Sequence, residues 1–151
     1  MEIREGGLDE PQVIELLAIH AGGMLANSPA GACHFLDLSG LKTPDILFLS
    51  CWDGDMLFGI GVLKALGDGV SEVKSMRTAE RALRRGVGRA ILREIIARAG
   101  ARGDRALKLE TGTGPAFDAA HALYRNHGFE SCGPFGDYQA SDFNRFFSLK
   151  L

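Results

Sequence analysis

Two apolar runs on either side of the dipeptide Asp53-Gly54 constrain the fold of this chain more than any other feature. Residues 45–52 read DILFLSCW, and residues 56–66 read MLFGIGVLKAL. An Asp-Gly pair between two such runs is a strong local signal for a tight β-hairpin. A second turn signal, Gly-Asp-Gly at 67–69, is followed by VSEVKSMRT at 70–78. We therefore predict an antiparallel meander of three strands.

The second half of the chain alternates strands with helices. Residues 105–111 predict a strand, 116–127 a helix stopped by Gly128, and 143–151 a terminal strand. Before them, residues 86–98 predict a helix with one face packed on the sheet, because apolar side chains recur at helical spacing. These side chains are Val87, Ile91, Leu92, Ile95 and Ile96. A strand, helix, strand order implies parallel pairing through a right-handed crossover.

The first 44 residues are less regular. Residues 2–6 predict a short strand, and Asp9 followed by Pro11 begins a helix that we expect to end near Gly22-Gly23. Residues 26–44 mix Gly, Pro and Ser with apolar residues, which predicts an irregular or short-helical connection. The expected fold is α/β (α+β) in one domain, 1–151. It has a mixed central sheet of about six to seven strands, with an antiparallel first half and a parallel central pair, flanked by about four helices.

Composition excludes several classes of protein. Lys and Arg total 17 against 19 for Asp and Glu, so the net charge of -2 favours neither nucleic acid nor an anionic membrane as a partner. No apolar run reaches the roughly 20 residues that cross a bilayer, and the N-terminus MEIREGGLDE lacks the layout of a secretory signal. We expect a cytoplasmic protein. Its oligomeric state is open, with a homodimer as one option.

Cysteines and histidines give no sign of a metal site. Cys33, Cys51 and Cys132 are odd in number and far apart, which is typical of reduced thiols in a reducing compartment. The histidines at positions 20, 34, 121 and 127 lack the paired spacing of a zinc site. We therefore expect no metal.

The segment RRGVGRAIL at 84–92 has the features of an anion site. Gly86 and Gly88 stand where a loop gives way to a helix, and helix N-terminal amides are free to bind a phosphate. Seven basic residues lie between positions 74 and 93, against Glu80 alone: Lys74, Arg77, Arg81, Arg84, Arg85, Arg89 and Arg93. The pattern favours a polyanionic ligand. The alternative is that the two glycines only allow close packing of the helix on the sheet, with the arginines on a solvated face.

Three segments together carry a family resemblance: VKSMRT at 73–78, RRGVGRAIL at 84–92 and ALYRNHGF at 122–129. In order and spacing they resemble the GCN5-related N-acetyltransferases (GNAT), over about residues 45–151. The tail CGPFGDY at 132–138 is similar to that of small bacterial members. The resemblance implies the GNAT fold and acetyl-coenzyme A as the acyl donor.

The resemblance also implies roles for particular residues. A bulge in the strand before the glycine loop would leave the backbone of Met76, Arg77 and Thr78 to pair with the pantetheine arm. The loop would bind the pyrophosphate through its amides, at Arg84, Arg85, Gly86, Val87, Gly88 and Arg89. Tyr124 would protonate the departing thiolate. Two positions depart from the family pattern: Leu83 stands where Gln or Arg is usual, and Phe117 replaces an Asn that contacts pantetheine.

Three residues are candidates for the base and the acceptor site. Glu72 lies four residues before Met76, so period-two geometry puts both side chains on one face of the strand. This resembles histone-type members, in which a glutamate takes the amine proton, and the alternative is a solvated carboxylate. Glu110, on the neighbouring strand, is the next candidate. His34 lies in the segment that, by resemblance, walls the acceptor pocket, where it would act as a base, bind an acidic group, or simply be exposed.

The sequence thus predicts an N-acetyltransferase that moves an acetyl group from acetyl-coenzyme A to an amine, on a small molecule or a peptide, by direct transfer. Cys132 has no His or Asn spacing that would support a covalent route. The alternative is a non-catalytic module of the same fold that binds or senses coenzyme A. A nucleotide-binding fold is disfavoured because the chain has no Gly-Lys-Ser/Thr triplet.

Overall fold

One seven-stranded sheet forms the centre of the computed structural model, which describes residues 1–32 and 34–151. Its strands are β1 (Glu2–Glu5), β2 (Ile46–Asp53), β3 (Met56–Gly67), β4 (Val70–Thr78), β5 (Ala106–Thr111), β6 (Glu130–Ser131) and β7 (Arg145–Lys150). Their order across the sheet is β1-β2-β3-β4-β5-β7-β6. Pairing is antiparallel throughout except between β4 and β5, which run parallel. The predicted meander and parallel central pair are confirmed, and β6 is an addition.

The described residues form three α-helices and three short 3-10 helices. The α-helices are α1 (Pro11–Ala26), α2 (Val87–Ala101) and α3 (Asp118–Asn126), and the 3-10 helices are Gly40–Lys42, Glu80–Ala82 and Pro115–Phe117. About four helices were expected, and the connection at 26–44 contributes one 3-10 turn. None of these helices is both long and apolar enough to cross a bilayer.

Side chains pack on both faces of the sheet, so the fold has three layers. On one face, Val13 and Leu16 of α1 pack with Ile60 of β3. On the other face, Ile91 of α2 and Tyr124 of α3 share a cluster with residues of β3, β4, β5 and β7. Alternation along each strand produces this division, since successive side chains point to opposite faces.

The predicted end of α1 near Gly22-Gly23 is wrong, because the helix continues to Ala26. A glycine inside a helix costs only about 1 kcal/mol relative to alanine, which neighbouring contacts can offset. Asn27 provides such a contact at the true end. Its backbone N–H and its side-chain Nδ2 both donate to the carbonyl of Gly23, at 3.1 and 2.8 Å.

Strands β4 and β5 pair over three residues only and then diverge. The register joins Val70 to Ala106, Ser71 to Leu107 and Glu72 to Lys108. Beyond Glu72, the edge of β4 that faces β5 has no strand partner in the described chain. A gap therefore opens in the middle of the sheet, and its walls carry backbone groups that are free to bind a ligand.

A bulge in β4 reverses the direction of its later side chains. Ile60 of β3 faces Arg77 and Val62 faces Lys74, so β4 carries one extra residue between these pairs. Ser75 takes a φ of 52° within the bulge. The prediction that Glu72 and Met76 share a face is therefore wrong. Met76 packs into the α2 cluster, whereas Glu72 bonds to Lys74 and Tyr138.

Candidate active site

The start of α2 presents a row of free backbone amides. Ala90 is the first residue of the helix whose N–H bonds within it, to Gly86 O at 3.0 Å. In the described chain, no backbone carbonyl or side chain accepts from the amides of residues 84–89. Arg84 and Gly86 both have positive φ, of 64° and 77°, which turns the loop tightly into the helix. Such a turn of unpaired amides is suited to hold a phosphate group.

The packing alternative for Gly86 and Gly88 does not fit this geometry. A Cβ at Gly86 would meet nothing within 4 Å, and one at Gly88 would lie at ordinary contact distance, 3.4 Å from Leu123. Close approach of α2 to the sheet instead depends on Gly61 of β3, where a Cβ would clash with Ile91 Cγ2. Gly86 is needed for its backbone conformation, since L side chains rarely adopt its φ.

Arginine side chains add positive charge around these amides. Arg84, Arg85 and Arg89 are exposed, and none of them forms an ion pair with a described residue. The guanidinium of Arg85 lies 5.5 Å from the ring of Phe58. The predicted phosphate loop is thus a cationic, amide-lined turn that fits a diphosphate.

Two adjacent cavities lie between Leu83, just before this loop, and the gap between β4 and β5. The larger, of about 1050 Å³, is lined by α1, by Met76, Arg77 and Thr78 of β4, and by Ala119 and Ala120 of α3. The smaller, of about 150 Å³, shares Met76, Arg77 and Ala120 with it. The predicted pantetheine residues therefore lie where a long ligand would pass from the loop into the sheet.

Tyr124 lines the smaller cavity with its ring packed in the core. The side chain is buried, with Phe129 and Phe147 at centroid distances of 5.8 and 6.3 Å. Its hydroxyl has no hydrogen-bond partner in the described part of the chain. Burial raises the pKa of Tyr124 to about 12, so the hydroxyl is neutral and able to donate a proton at physiological pH.

His34 and Glu110 meet at the opposite wall of the smaller cavity. His34 Nδ1 lies 2.6 Å from Glu110 Oε2, which also accepts from Asn144 Nδ2 at 3.0 Å. The Glu110 side chain is 8% exposed, and burial raises its pKa although the contact with His34 opposes the shift. A carboxylate of raised basicity held against an imidazole is a suitable acceptor for a proton.

Known proteins are similar to this chain over most of its length. The acetyltransferase (GNAT) family model matches residues 24–129. The chain belongs to the GNAT acetyltransferase family. It is 48% identical over 149 residues to the uncharacterized N-acetyltransferase YedL of Escherichia coli, covering 99% of this chain and 94% of YedL. It is 41% identical to the uncharacterized N-acetyltransferase YsnE of Bacillus subtilis, with 100% of both chains covered.

Solved structures of GNAT acetyltransferases share the fold. An acyl-CoA N-acyltransferase from Klebsiella pneumoniae has a TM-score of 0.80 at 21% identity, with 99% of this chain and 97% of that chain covered. A Bacillus subtilis acetyltransferase in complex with coenzyme A has a TM-score of 0.73 at 18% identity, with 99% and 98% covered. The family resemblance, the N-acetyltransferase class and acetyl-coenzyme A as donor are thereby confirmed, and the non-catalytic alternative is not favoured.

Glu72, the first sequence candidate for the base in this GNAT protein, is not part of the cavity wall. It is 3% exposed, and its Oε2 accepts a hydrogen bond of 2.6 Å from Tyr138 and lies 3.4 Å from Lys74 Nζ. Lys74 also donates to the Tyr138 hydroxyl at 2.7 Å. The recorded contacts of Glu72, both through Oε2, thus go to Lys74 and Tyr138 and not to a group of the cavity.

Tyr138 is the residue of this region that the sequence did not single out. It lies in the segment 132–138, whose likeness to small bacterial acetyltransferases was the available signal. Its ring contacts His34 edge-on at 5.2 Å, and its hydroxyl bonds to Glu72, so Tyr138 contacts both side chains.

The two departures from the family pattern also have clear positions in the structure. Leu83 is 55% exposed beside the larger cavity, and the Phe117 ring packs edge-on against Phe143 at 5.6 Å.

Cysteine and metal chemistry have little support among the described residues. Cys51 is a buried free thiol and Cys132 a half-buried one, and burial raises the pKa of both thiols. Cys33 lies outside the described residues. No group of three or more His, Cys, Asp or Glu side chains within 1–32 and 34–151 is arranged to hold a metal ion.

Proposed function

We propose that residues 1–151 form a single, cytoplasmic acetyltransferase domain that moves an acetyl group directly from acetyl-coenzyme A to the amine of a small molecule or peptide. One observation carries the proposal. A neutral tyrosine hydroxyl with no partner among the described residues, and a pair formed by the exposed His34 and the Glu110 carboxylate, line the same small cavity in the gap between β4 and β5. These are the acid and the base that amine acetylation requires, placed beside the binding path for a long anionic donor.

The donor is held mainly by backbone groups in this proposal. The amides of residues 84–89 hold the diphosphate, and the exposed arginines around them add electrostatic attraction that salt screens. The open edge of β4 at Met76, Arg77 and Thr78 takes the peptide-like pantetheine arm in place of a strand. Backbone amides carry most of the binding. Leu83 and Phe117, which stand where the family pattern has other residues, therefore reduce the affinity for acetyl-coenzyme A only modestly.

The base is the His34–Glu110 pair. When Nδ1 of His34 donates to Glu110, the lone pair of His34 resides on Nε2, which takes a proton from the acceptor amine. Glu110 holds that tautomer and stabilises the imidazolium that forms, and Tyr138 packs against the ring. Glu72 is less suited, because a proton would have to reach it through Tyr138 and Lys74.

The remaining two tasks fall to the bulge and to Tyr124. A backbone amide near Met76, freed where β4 leaves β5, polarises the acetyl carbonyl and stabilises its developing negative charge. The Tyr124 hydroxyl protonates the departing sulfur. Raised thiol pKa values leave Cys51 and Cys132 little thiolate at neutral pH, which favours direct transfer over a route through a cysteine.

A screen for released coenzyme A thiol tests the function. The purified protein is mixed with acetyl-coenzyme A and a panel of amino acids, aliphatic and aromatic amines, aryl acids and short peptides, and products are identified by mass spectrometry. We expect at least one amine to become N-acetylated in proportion to the thiol released. Tight binding of acetyl-coenzyme A with no acetylated product across the panel would instead support a coenzyme-A-sensing module.

A further inference from the structure

Arg77 carries a positive charge that the described chain does not balance. Its half-buried side chain lines both cavities, on the α1 face of the sheet. Its closest protein acceptor is the carbonyl of Ile19, 3.5 Å from Nη2, at the limit of a hydrogen bond. No carboxylate in the described residues forms an ion pair with it. The pantetheine role proposed above uses only the backbone of Arg77, so the side chain is left for another ligand.

The other charged groups of the smaller cavity are already paired. Lys74 bonds to Glu72 and Tyr138, and Glu110 bonds to His34 and Asn144. Among the charged residues that line the cavity in the described chain, Arg77 is therefore the one with no opposite charge beside it. A planar guanidinium matches a carboxylate with two parallel hydrogen bonds.

Helix α1 is shaped to hold the guanidinium at this point. A Cβ at Gly23 would lie 2.6 Å from Arg77 Nη2, so any larger residue would push the guanidinium away. One turn earlier, His20 lines the same cavity. Its Nδ1 is buried and has no hydrogen-bond partner in the described chain. Burial and the nearby Arg77 lower the pKa of His20 to about 4, so the imidazole is neutral and adds no competing charge.

We propose that the acceptor carries a carboxylate as well as its amine, and that Arg77 binds this carboxylate beside His20 while the amine lies at the His34–Glu110 pair. The acceptor class is thus an amino acid or another small amino-carboxylate. This inference rests on the proposed acetyl transfer, because it assigns the second end of the acceptor in the same cavity.

The test compares matched acceptors that differ only at the carboxylate. For each amino acid that the screen finds, kcat/KM is measured for the acid, its carboxamide and its decarboxylated amine. We expect kcat/KM to be about tenfold or more higher for the acid, because the carboxamide and the amine lack the charged hydrogen-bond partner that Arg77 would bind. Acetylation of the neutral amines with equal or greater kcat/KM would overturn this inference and leave the proposed acetyl transfer standing.

Variants of Arg77 give the second arm of the test. Arg77→Gln is expected to lower kcat/KM for the acid about 10- to 100-fold, while KM for acetyl-coenzyme A and kcat/KM for the carboxamide stay the same. Gly23→Ala keeps the charge but displaces the guanidinium, and should weaken the acid selectively. Arg4→Gln, in the edge strand β1 and outside the lining of both cavities, is the matched control. An equal loss for acid and carboxamide, or a raised KM for acetyl-coenzyme A, would assign Arg77 to the donor and refute the proposal.

Discussion

The side chains of Tyr124 and Glu110 are both largely buried beside the same small cavity, and burial suits each to the role proposed for it. Burial disfavours the charged form of any group, so it raises the pKa of both side chains. For the tyrosine, this keeps the hydroxyl protonated, so that a proton is at hand when the thiolate departs. For the carboxylate, it increases basicity. At the residue scale, one physical cause thus suits both the proposed acid and the carboxylate that supports the proposed base.

Replacing Tyr124 with Phe should remove the proton and nothing else. Packing against Phe129 and Phe147 is kept, so acetyl-coenzyme A affinity and thermal stability should be unchanged. We expect kcat to fall about a hundredfold, the low end for general acid catalysis, because the thiol is a fairly good leaving group. With a pKa of about 12 for Tyr124, the wild-type rate should show no alkaline fall from this group in the usual assay range. A variant as fast as wild type would place the acid elsewhere.

Glu110 and Glu72 offer a matched pair of substitutions. Glu110→Gln should lower kcat/KM for the acceptor by about 10²- to 10³-fold, because a neutral amide neither holds the His34 tautomer as a carboxylate does nor stabilises the imidazolium that forms.

Glu72→Gln should retain most of the activity. It should lower the free energy of unfolding by about 1–3 kcal/mol, because Lys74 loses its buried ionic partner. For Glu110→Gln and Glu72→Gln alike, both kcat/KM for the acceptor and the unfolding curve are measured. A larger catalytic loss for Glu72→Gln than for Glu110→Gln would restore Glu72 as the base.

At the scale of elements, the bulge in β4 explains where sequence reasoning about the site fails. The resemblance implies a bulge in this strand, but the argument for Glu72 assumes regular alternation from residue 72 to 76. One extra residue at Ser75 reverses that alternation. Ser75 is not a glycine, so its positive φ has no local sequence signal. The phosphate loop, in contrast, is predictable because its function depends on local backbone geometry around Gly86.

The α2 loop allows a prediction with an internal control. Gly86 and Gly103 both have positive φ, 77° and 88°, and a Cβ at either would meet nothing within 4 Å. Valine at either position should therefore cost a similar 1–3 kcal/mol or so of stability from backbone strain. Only Gly86→Val should also weaken acetyl-coenzyme A, by tenfold or more, measured by calorimetry. Equal affinities in the two variants would remove the loop from the donor site.

At the scale of the whole molecule, the order of strands and helices is predictable, but the acceptor site is not. Hairpin signals and helical periodicity are local, and they account for the meander, the parallel pair and α2. The acceptor cavity instead joins His34 from the irregular connection and Glu110 from β5, and Tyr138 from the segment before β7 packs against His34. These residues are far apart in the chain, and only the folded sheet brings them together. The position of the Arg77 guanidinium likewise depends on α1, which continues past Gly23.

Initial-velocity kinetics with a confirmed acceptor test the central claim most directly. If acetyl passes straight to the amine in one cavity, both substrates must be bound together. Double-reciprocal plots at several fixed concentrations of the second substrate should then intersect, and the protein incubated with acetyl-coenzyme A alone should not gain the mass of an acetyl group. Parallel lines together with an acetylated protein would contradict direct transfer and point to a covalent intermediate.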